Sequence, residues 1–414
     1  EGPTQMSAMH TDLSAARLQI PAGVANRWAM IFGGIGLLGL AATASGFFSE
    51  ATRVEALSAY LVAFFYVLTL GVGSMFFAAL QHLVGARWSV VPRRIAENYG
   101  SFTPWIALLF IPIAVFAKDI LPWMNIEGIK NEEYRTAVTL AMESKTWYLT
   151  VPFFYGRAAF YLVFWALAGL FYYRKSVEVD TSGDAQTILQ MRKVAPPVVI
   201  LFGLTLSFSA FDWLMGVDPT WATTMFGVYA FAGTILSTLG LIAATARTLH
   251  GYGYMEGVIT DEHFHDLGKL MFGFTVFWAY IAYSMFMLIW YASLPEETVW
   301  YRKHWENGWS TLTWTLILLH FLLPFFGLLA RTAKRHPTIL KAIGALLVVM
   351  HWVDLYWLVM PLFREHMAFS WYDFAAVLGT AGLFFGVAAR TFGKAALVPV
   401  KDPFLADSMG YENG

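Results

Sequence analysis

The chain has 414 residues, 58% hydrophobic, 17% aromatic and only 13% charged, against roughly 25% charged in an average soluble protein. Its net charge of -1 provides no global field that would recruit nucleic acid or a polyanionic substrate. The absence of cysteine excludes disulfides, thiolate-held zinc, iron–sulfur ligation, covalently attached c-type haem and cysteine nucleophiles from this chain.

Residues 1–26 are polar and mixed, without the basic start, apolar stretch and small-residue cleavage site of a secretory signal, so the first hydrophobic segment is expected to stay as an anchor. A spanning helix needs about 20 apolar residues to cross roughly 30 Å of hydrocarbon. Ten stretches qualify: Arg27–Phe47, Ala56–Leu83, Phe102–Lys118, Tyr148–Tyr173, Val194–Leu214, Ala222–Arg247, His265–Ser293, Trp309–Arg331, Ile339–Met360 and Trp371–Arg390. They predict an all-α polytopic membrane protein whose ten-helix domain covers residues 27–391, followed by a tail over 392–414.

With both termini on one side, that side collects 18 of the 27 Lys and Arg residues, and the other side eight. Basic loops are retained in the cytoplasm, so both termini are expected there. Trp123, Trp147, Trp221, Trp300, Trp305, Trp309 and Trp371 stand where helices leave the apolar slab, as interfacial anchors do. The segment Trp88–Asn98, with Arg93 and Arg94, is expected to lie as an amphipathic helix on the cytoplasmic surface. The outer loop Asp119–Trp147 has the length for a short helix that meets a partner. The second and sixth helices end alike, in Gln81-His82-Leu83-Val84-Gly85 and Thr248-Leu249-His250-Gly251. That echo suggests a parallel repeat of two four-helix bundles, about 56–214 and about 222–360, flanked by the first and tenth helices.

Charges in the bilayer centre cost several kcal/mol, so ionisable residues persist there mainly for function or for paired structural roles. One group lies near the cytoplasmic face: His82, then Glu262, His263, His265, Asp266 and Lys269 at the start of helix seven, as candidates for proton entry. A second runs outward from mid-membrane: Arg157, Asp212, His320, His351 and Asp354. At about 1.5 Å of rise per residue, Arg157 sits roughly 13 Å below the outer surface and His320 near mid-membrane. Asp212 is the natural partner of Arg157, since helices four and five are consecutive and antiparallel. His351 and Asp354, three residues apart, share a helix face, which lets the carboxylate orient the imidazole. Thr275, Tyr280, Tyr283 and Ser284 on helix seven, with Thr205, Ser207 and Ser209 on helix five, could hold a water chain between the groups.

Two readings of these residues stand side by side. Quinol oxidation releases protons, so it needs a base such as His or Asp beside an apolar cleft, and this set suits a quinone pocket, a proton path, or both. Alternatively, buried charges cross-link helices and hydroxyls bond back to their own backbone. Haem b fits poorly, because no helix carries the paired histidines of a cytochrome b bundle; only His320 and His351, on adjacent helices, could bridge one. No metal site and no catalytic residue are expected.

Three blocks carry a family resemblance. The first is Glu262-His263-Phe264-His265-Asp266-Leu267-Gly268-Lys269-Leu270, continuing through Phe272-Gly273-Phe274, Phe277-Trp278-Ala279-Tyr280, Trp290-Tyr291, Pro295-Glu296-Glu297 and Trp300-Tyr301. The others are Gln81-His82-Leu83 with Trp88-Ser89-Val90-Val91 and Arg93-Arg94, and Phe211-Asp212-Trp213-Leu214-Met215 with Asp218-Pro219 and Phe226-Gly227-Val228-Tyr229. Together, over helices two to ten, they resemble the ActF-type integral membrane subunit of bacterial alternative complex III, itself similar to NrfD and polysulfide reductase membrane subunits. The resemblance implies ten helices around two four-helix bundles in the bacterial plasma membrane, and a subunit without metal or haem in a quinol:electron-acceptor oxidoreductase of respiratory or photosynthetic electron transport. It implies partners: multihaem and monohaem c-type cytochromes, an iron–sulfur protein, a sister NrfD-like subunit and small membrane subunits, all in contact with lipid. Haem c and iron–sulfur clusters would belong to those partners, and menaquinol or ubiquinol would be the ligand. A secondary transporter and a purely structural scaffold remain alternatives.

Overall fold

A computed structural model describes residue 13 and residues 17–412 of the chain. The polar segment 1–26 therefore falls largely outside the described residues. Within them, regular structure is helical apart from one isolated bridge between Arg17 and Tyr254. Among the described residues ten helices are long and apolar enough to cross a membrane: α1 (Ala22–Phe47), α2 (Arg53–Leu83), α3 (Arg87–Val115), α4 (Val151–Ser182), α5 (Ala185–Val217), α6 (Met225–Gly251), α7 (Asp261–Ala292), α8 (Ser310–Gly327), α9 (Pro337–Leu362) and α10 (Trp371–Phe392). The protein is an all-α, multi-pass membrane protein. The side on which α1 begins and α10 ends is called inner below.

α2 is the axis of the molecule, and its most apolar stretch is buried throughout. It packs against α3, α4 and α5 and, on its other flank, against α6 and α9, while α6 packs on α7 and α9, and α8 on α9. α1 and α10 lie outside these groups and run along each other. Glycine makes that seam possible: a Cβ on Gly382 would sit 2.5 Å from the Gly36 nitrogen, and one on Gly39 would sit 2.6 Å from the Gly379 nitrogen. Helices in lipid gain no hydrophobic drive from meeting, so such close backbone packing is what holds them together.

α4 and α5 overrun their apolar stretches at the inner side and join in a tight hairpin. Gly183 takes a left-handed turn at φ +61°, and the Asp184 side chain accepts from the Gln186 N–H at 2.9 Å, capping α5.

Two expectations are corrected. The segment Trp88–Asn98 does not lie on the surface: from Val90 on it forms the first half of α3, buried from Val90 to Gly100, before the helix is interrupted at Ser101–Phe102. Its arginines are buried because carboxylates from distant parts of the chain meet them, as described below. Of the seven tryptophans read as anchors, only Trp147, Trp305 and Trp371 are exposed; Trp123, Trp221, Trp300 and Trp309 are buried. The outer loops fold over them, and Trp221 stacks on Trp300 with ring centroids 4.4 Å apart. The long outer loop does carry a helix, Glu132–Glu143, started by Asn131, whose side chain accepts from the Tyr134 N–H. It is tied to the outer end of α5 through the Tyr134 hydroxyl and Asp218, 3.5 Å apart, and through Lys145 Nζ and the Pro219 carbonyl, 2.7 Å apart.

Candidate functional site

The outer group separates into two unlike arrangements. In the first, Arg157 of α4 and Asp212 of α5 form a buried two-pronged ion pair, Nε to Oδ2 at 3.0 Å and Nη2 to Oδ1 at 2.6 Å. The Tyr161 hydroxyl donates to Asp212 Oδ2 at 3.1 Å, and Arg157 Nη1 donates to the Tyr148 carbonyl at 2.9 Å. The guanidinium also lies over the rings of Tyr148 and Phe153, at 3.8 and 4.2 Å. Each charge is thus met by its opposite and by further donors or acceptors, the condition under which a buried pair is tolerated.

The second arrangement has no such pairing. Asp354 of α9 accepts from the Tyr229 hydroxyl of α6 on one oxygen and from the Trp278 indole N–H of α7 on the other, at 3.2 Å. Among the described residues no cation lies within ion-pair distance of it. One turn earlier on α9, His351 places Nε2 2.8 Å from the Thr69 hydroxyl of α2, and its Nδ1 has no protein partner. The Nδ1 of His351 and Oδ2 of Asp354 border the same spot, since a Cβ on Gly233 would lie 3.2 and 3.5 Å from them. Trp278 connects these groups to His320 of α8, whose ring centroid is 4.3 Å from its own. His320 is completely buried, and among the described residues neither ring nitrogen has a protein partner.

His320 sits in a π-helical segment, Leu316–Leu322, inside α8. Pro324 follows four residues later and has no N–H to give the His320 carbonyl, so an ordinary helical bond is impossible at that point. Wider turns of this kind are frequent at functional sites. Three unpartnered imidazole nitrogens and a carboxyl, wholly enclosed in the membrane domain, make a cluster able to hold and pass protons.

The inner group is reorganised more thoroughly. His82 is buried, stacked on Tyr172 with centroids 5.6 Å apart, and its Nε2 stands 3.9 Å from Glu97 Oε1. Glu97, on the buried half of α3, accepts from Arg93 Nε at 3.1 Å and from the Ser176 hydroxyl, and lies 3.3 Å from Arg94 Nε. Arg93 also reaches Asp402 of the tail at 2.9 Å, and Arg94 makes a two-pronged pair with Asp180 at 2.8 and 2.9 Å. Glu97, Asp180 and Asp402 were not among the expected site residues. The signal available was Arg93, Arg94 and Glu97 within one helical turn and a half, a spacing that sets the carboxylate against both cations.

His263 belongs to the start of α7 rather than to this network. Its Nδ1 accepts from the Thr260 backbone N–H at 3.0 Å, and its Nε2 is 3.1 Å from the Ser408 hydroxyl, which donates to the Trp88 carbonyl. It therefore pins the tail to the inner surface. Asp266 pairs with Lys269 at 2.5 Å, and Lys269 is half-exposed; His265 is buried near them with Nδ1 unpartnered. Glu262 pairs with Arg335 at 2.5 Å.

The expected tyrosines and hydroxyl chain are not part of either cluster. Tyr280 and Tyr283 are 63% and 62% exposed and face away from the bundle. Thr275, Thr205, Ser207 and Ser209 each donate to a carbonyl of their own helix, at 2.7 to 2.9 Å. The helical repeat puts Tyr280 and Tyr283 on the flank opposite Trp278 and Ile281, which face the core. Among the described residues no three His, Asp or Glu side chains converge as a metal-binding set. The chain matches no model of a known protein family, and no curated protein matches it.

Proposed function

We propose that this chain is the proton-handling membrane subunit of a quinol:electron-acceptor oxidoreductase of the alternative complex III type, carrying no redox centre of its own. In this reading it lies in a bacterial plasma membrane with both termini cytoplasmic. Electrons from quinol pass through cytochrome c and iron–sulfur partners, while a sister subunit holds the main quinol site. The sequence blocks quoted above and the excess of Lys and Arg on the inner side support the family and the orientation.

The observation that carries the role is the cluster of His320, His351 and Asp354: ionisable, fully buried, and without the cation that neutralises Asp212. An imidazole can take a proton on one nitrogen and release one from the other, so two of them beside a carboxyl form the core of a relay. Proton transfer is favoured over a quinone seat here because the Trp278 ring already packs on His320 and its N–H already occupies Asp354. A haem bridged by the two histidines is disfavoured because Thr69 engages His351 Nε2.

The test is quinol turnover and proton uptake by the assembled complex in sealed vesicles. Asp354→Asn should abolish proton uptake from the inner side, while the protons that quinol itself releases continue and assembly and haem content stay intact, and a Tyr280→Phe, Tyr283→Phe control should match the parent. An unchanged proton-to-electron ratio in Asp354→Asn leaves this chain as a scaffold. Absence of haem-bearing companions from its native-gel band removes the complex itself.

A further inference from the structure

On the lipid-facing side of α4 and α5 lies a groove of about 510 Å³, walled by Phe164, Leu167, Phe171, Val194 and Val198 and bordered at its inner end by Arg174 and Lys175. The sequence explains the layout. In α4 the apolar run ends at Tyr173 and two cations follow; in α5 two cations, Arg192 and Lys193, come immediately before the apolar run opens at Val194. Both helices therefore change from apolar to basic at one level, which is the boundary between hydrocarbon and headgroups. From Phe164 to Arg174 the helix rises about 15 Å, half of the roughly 30 Å hydrocarbon core, so the groove has the depth of one leaflet.

The cations at this level are available. Arg174 is exposed and has no ion-pair partner among the described residues, and Lys193 on α5 is likewise exposed. Among the described residues Lys175 pairs only with Glu178, three residues on and about half exposed, a contact that contributes little. Arg192 is turned elsewhere, over the Phe404 ring at 5.0 Å. An apolar trough one leaflet deep with two basic side chains at its mouth matches one occupant: a lipid with hydrocarbon chains and a negatively charged headgroup.

We propose that this groove binds an anionic phospholipid, with an acyl chain against Leu167 and Phe171 and the phosphodiester between Arg174 and Lys175. The inference stands apart from the proton-handling role and needs only the membrane setting. The full-length chain, purified in detergent, is titrated with dioleoyl phosphatidylglycerol or dioleoyl phosphatidylcholine, and bound lipid is counted by native mass spectrometry. Phosphatidylglycerol should be retained in preference to phosphatidylcholine. Arg174→Gln with Lys175→Gln should weaken it about thirty-fold, at about five-fold per cation near the headgroups. Leu167→Trp, which fills the trough without touching charge, should weaken it as well. The same two-charge loss at Arg390 and Lys394 should leave it unchanged. Equal retention of the two lipids, an equal loss from the Arg390 and Lys394 changes, or displacement by glycerol 1-phosphate alone would each overturn the proposal.

Discussion

Removing one member of the Arg157–Asp212 pair is the sharpest test of how the membrane domain is held together. In Asp212→Leu the guanidinium stays buried, keeping only the Tyr148 carbonyl at 2.9 Å and the faces of Tyr148 and Phe153. Breaking a buried pair by deleting one partner costs about 3–5 kcal/mol. The Tyr161 hydroxyl loses its acceptor at the same time, about 1 kcal/mol more, while the two ring contacts offset about as much. The single change should therefore cost about 3–5 kcal/mol. Arg157→Met should cost a similar amount, because it strands the carboxylate with one hydroxyl donor. The double variant removes both charges and should recover most of the loss, as apolar replacements of buried pairs do. The assay is reversible unfolding in mixed micelles on titration with sodium dodecyl sulfate, followed by tryptophan fluorescence. A coupling energy above about 2 kcal/mol is expected from the cycle of variants. Additive single costs, or an Asp212→Leu cost below about 1 kcal/mol, would refute the view that this pair is desolvated and structural.

At the α1–α10 seam, Gly382→Leu has to push α1 away, since even a Cβ would lie 2.5 Å from the Gly36 nitrogen; because the chain has no cysteine, a short cross-linker between cysteines placed at Phe32 and Phe385, whose rings are 5.9 Å apart, reads the separation directly, and undiminished cross-linking would contradict it. His304, in the outer loop before α8, is buried against Trp300 and Trp357, and that burial holds its pKa down to about 4 against the contacts with the Trp300 and Leu358 carbonyls, with Lys303 and Asp218 as the charged groups nearby. Between pH about 6.5 and about 4 the unfolded imidazole binds a proton that the folded one refuses, so stability should fall by about 3 kcal/mol as pH drops through that window and level off below it. His304→Phe should flatten this part of the pH–stability curve, and a parallel curve for the variant would show that another group sets it.

Much of the architecture was legible because its cause is local. Apolar length alone separates ten spanning segments from their loops, and the depth of Arg157 and Asp212 on consecutive helices named them as partners. The inner network was not legible, because Arg93 finds Asp402 and Arg94 finds Asp180 only after the tail and the α4–α5 hairpin fold back on α3. In isolation, an arginine pair beside a tryptophan reads as a surface helix. Likewise nothing in Tyr280 or Tyr283 announces which flank of α7 meets lipid; the rotation of that helix is set by Trp278 reaching Asp354 on a neighbour far along the chain.

Two aspartates in similar places are held in unlike ways. Asp212 and Asp354 each lie near the outer end of the last helix of a four-helix group, and each accepts from a tyrosine hydroxyl, Tyr161 or Tyr229. Only Asp212 has a guanidinium, which locks its geometry through a two-pronged pair. Asp354 is met by two neutral donors, the Tyr229 hydroxyl and the Trp278 indole N–H, and His351 Nδ1 borders the same spot without bonding to it. α2 then ties this cluster to the inner network, since Thr69 touches His351 and His82 faces Glu97 about 20 Å further along the same helix. The α2–α6 face between them is lined by small and hydroxyl residues: Gly73 packs so closely on α6 that a Cβ would strike the Thr238 oxygen, and that hydroxyl is buried without a protein partner. Ser74, Thr234 and Ser237 spend their hydrogen bonds on carbonyls of their own helices. Thr238 is thus the one hydroxyl of this set without a protein partner among the described residues.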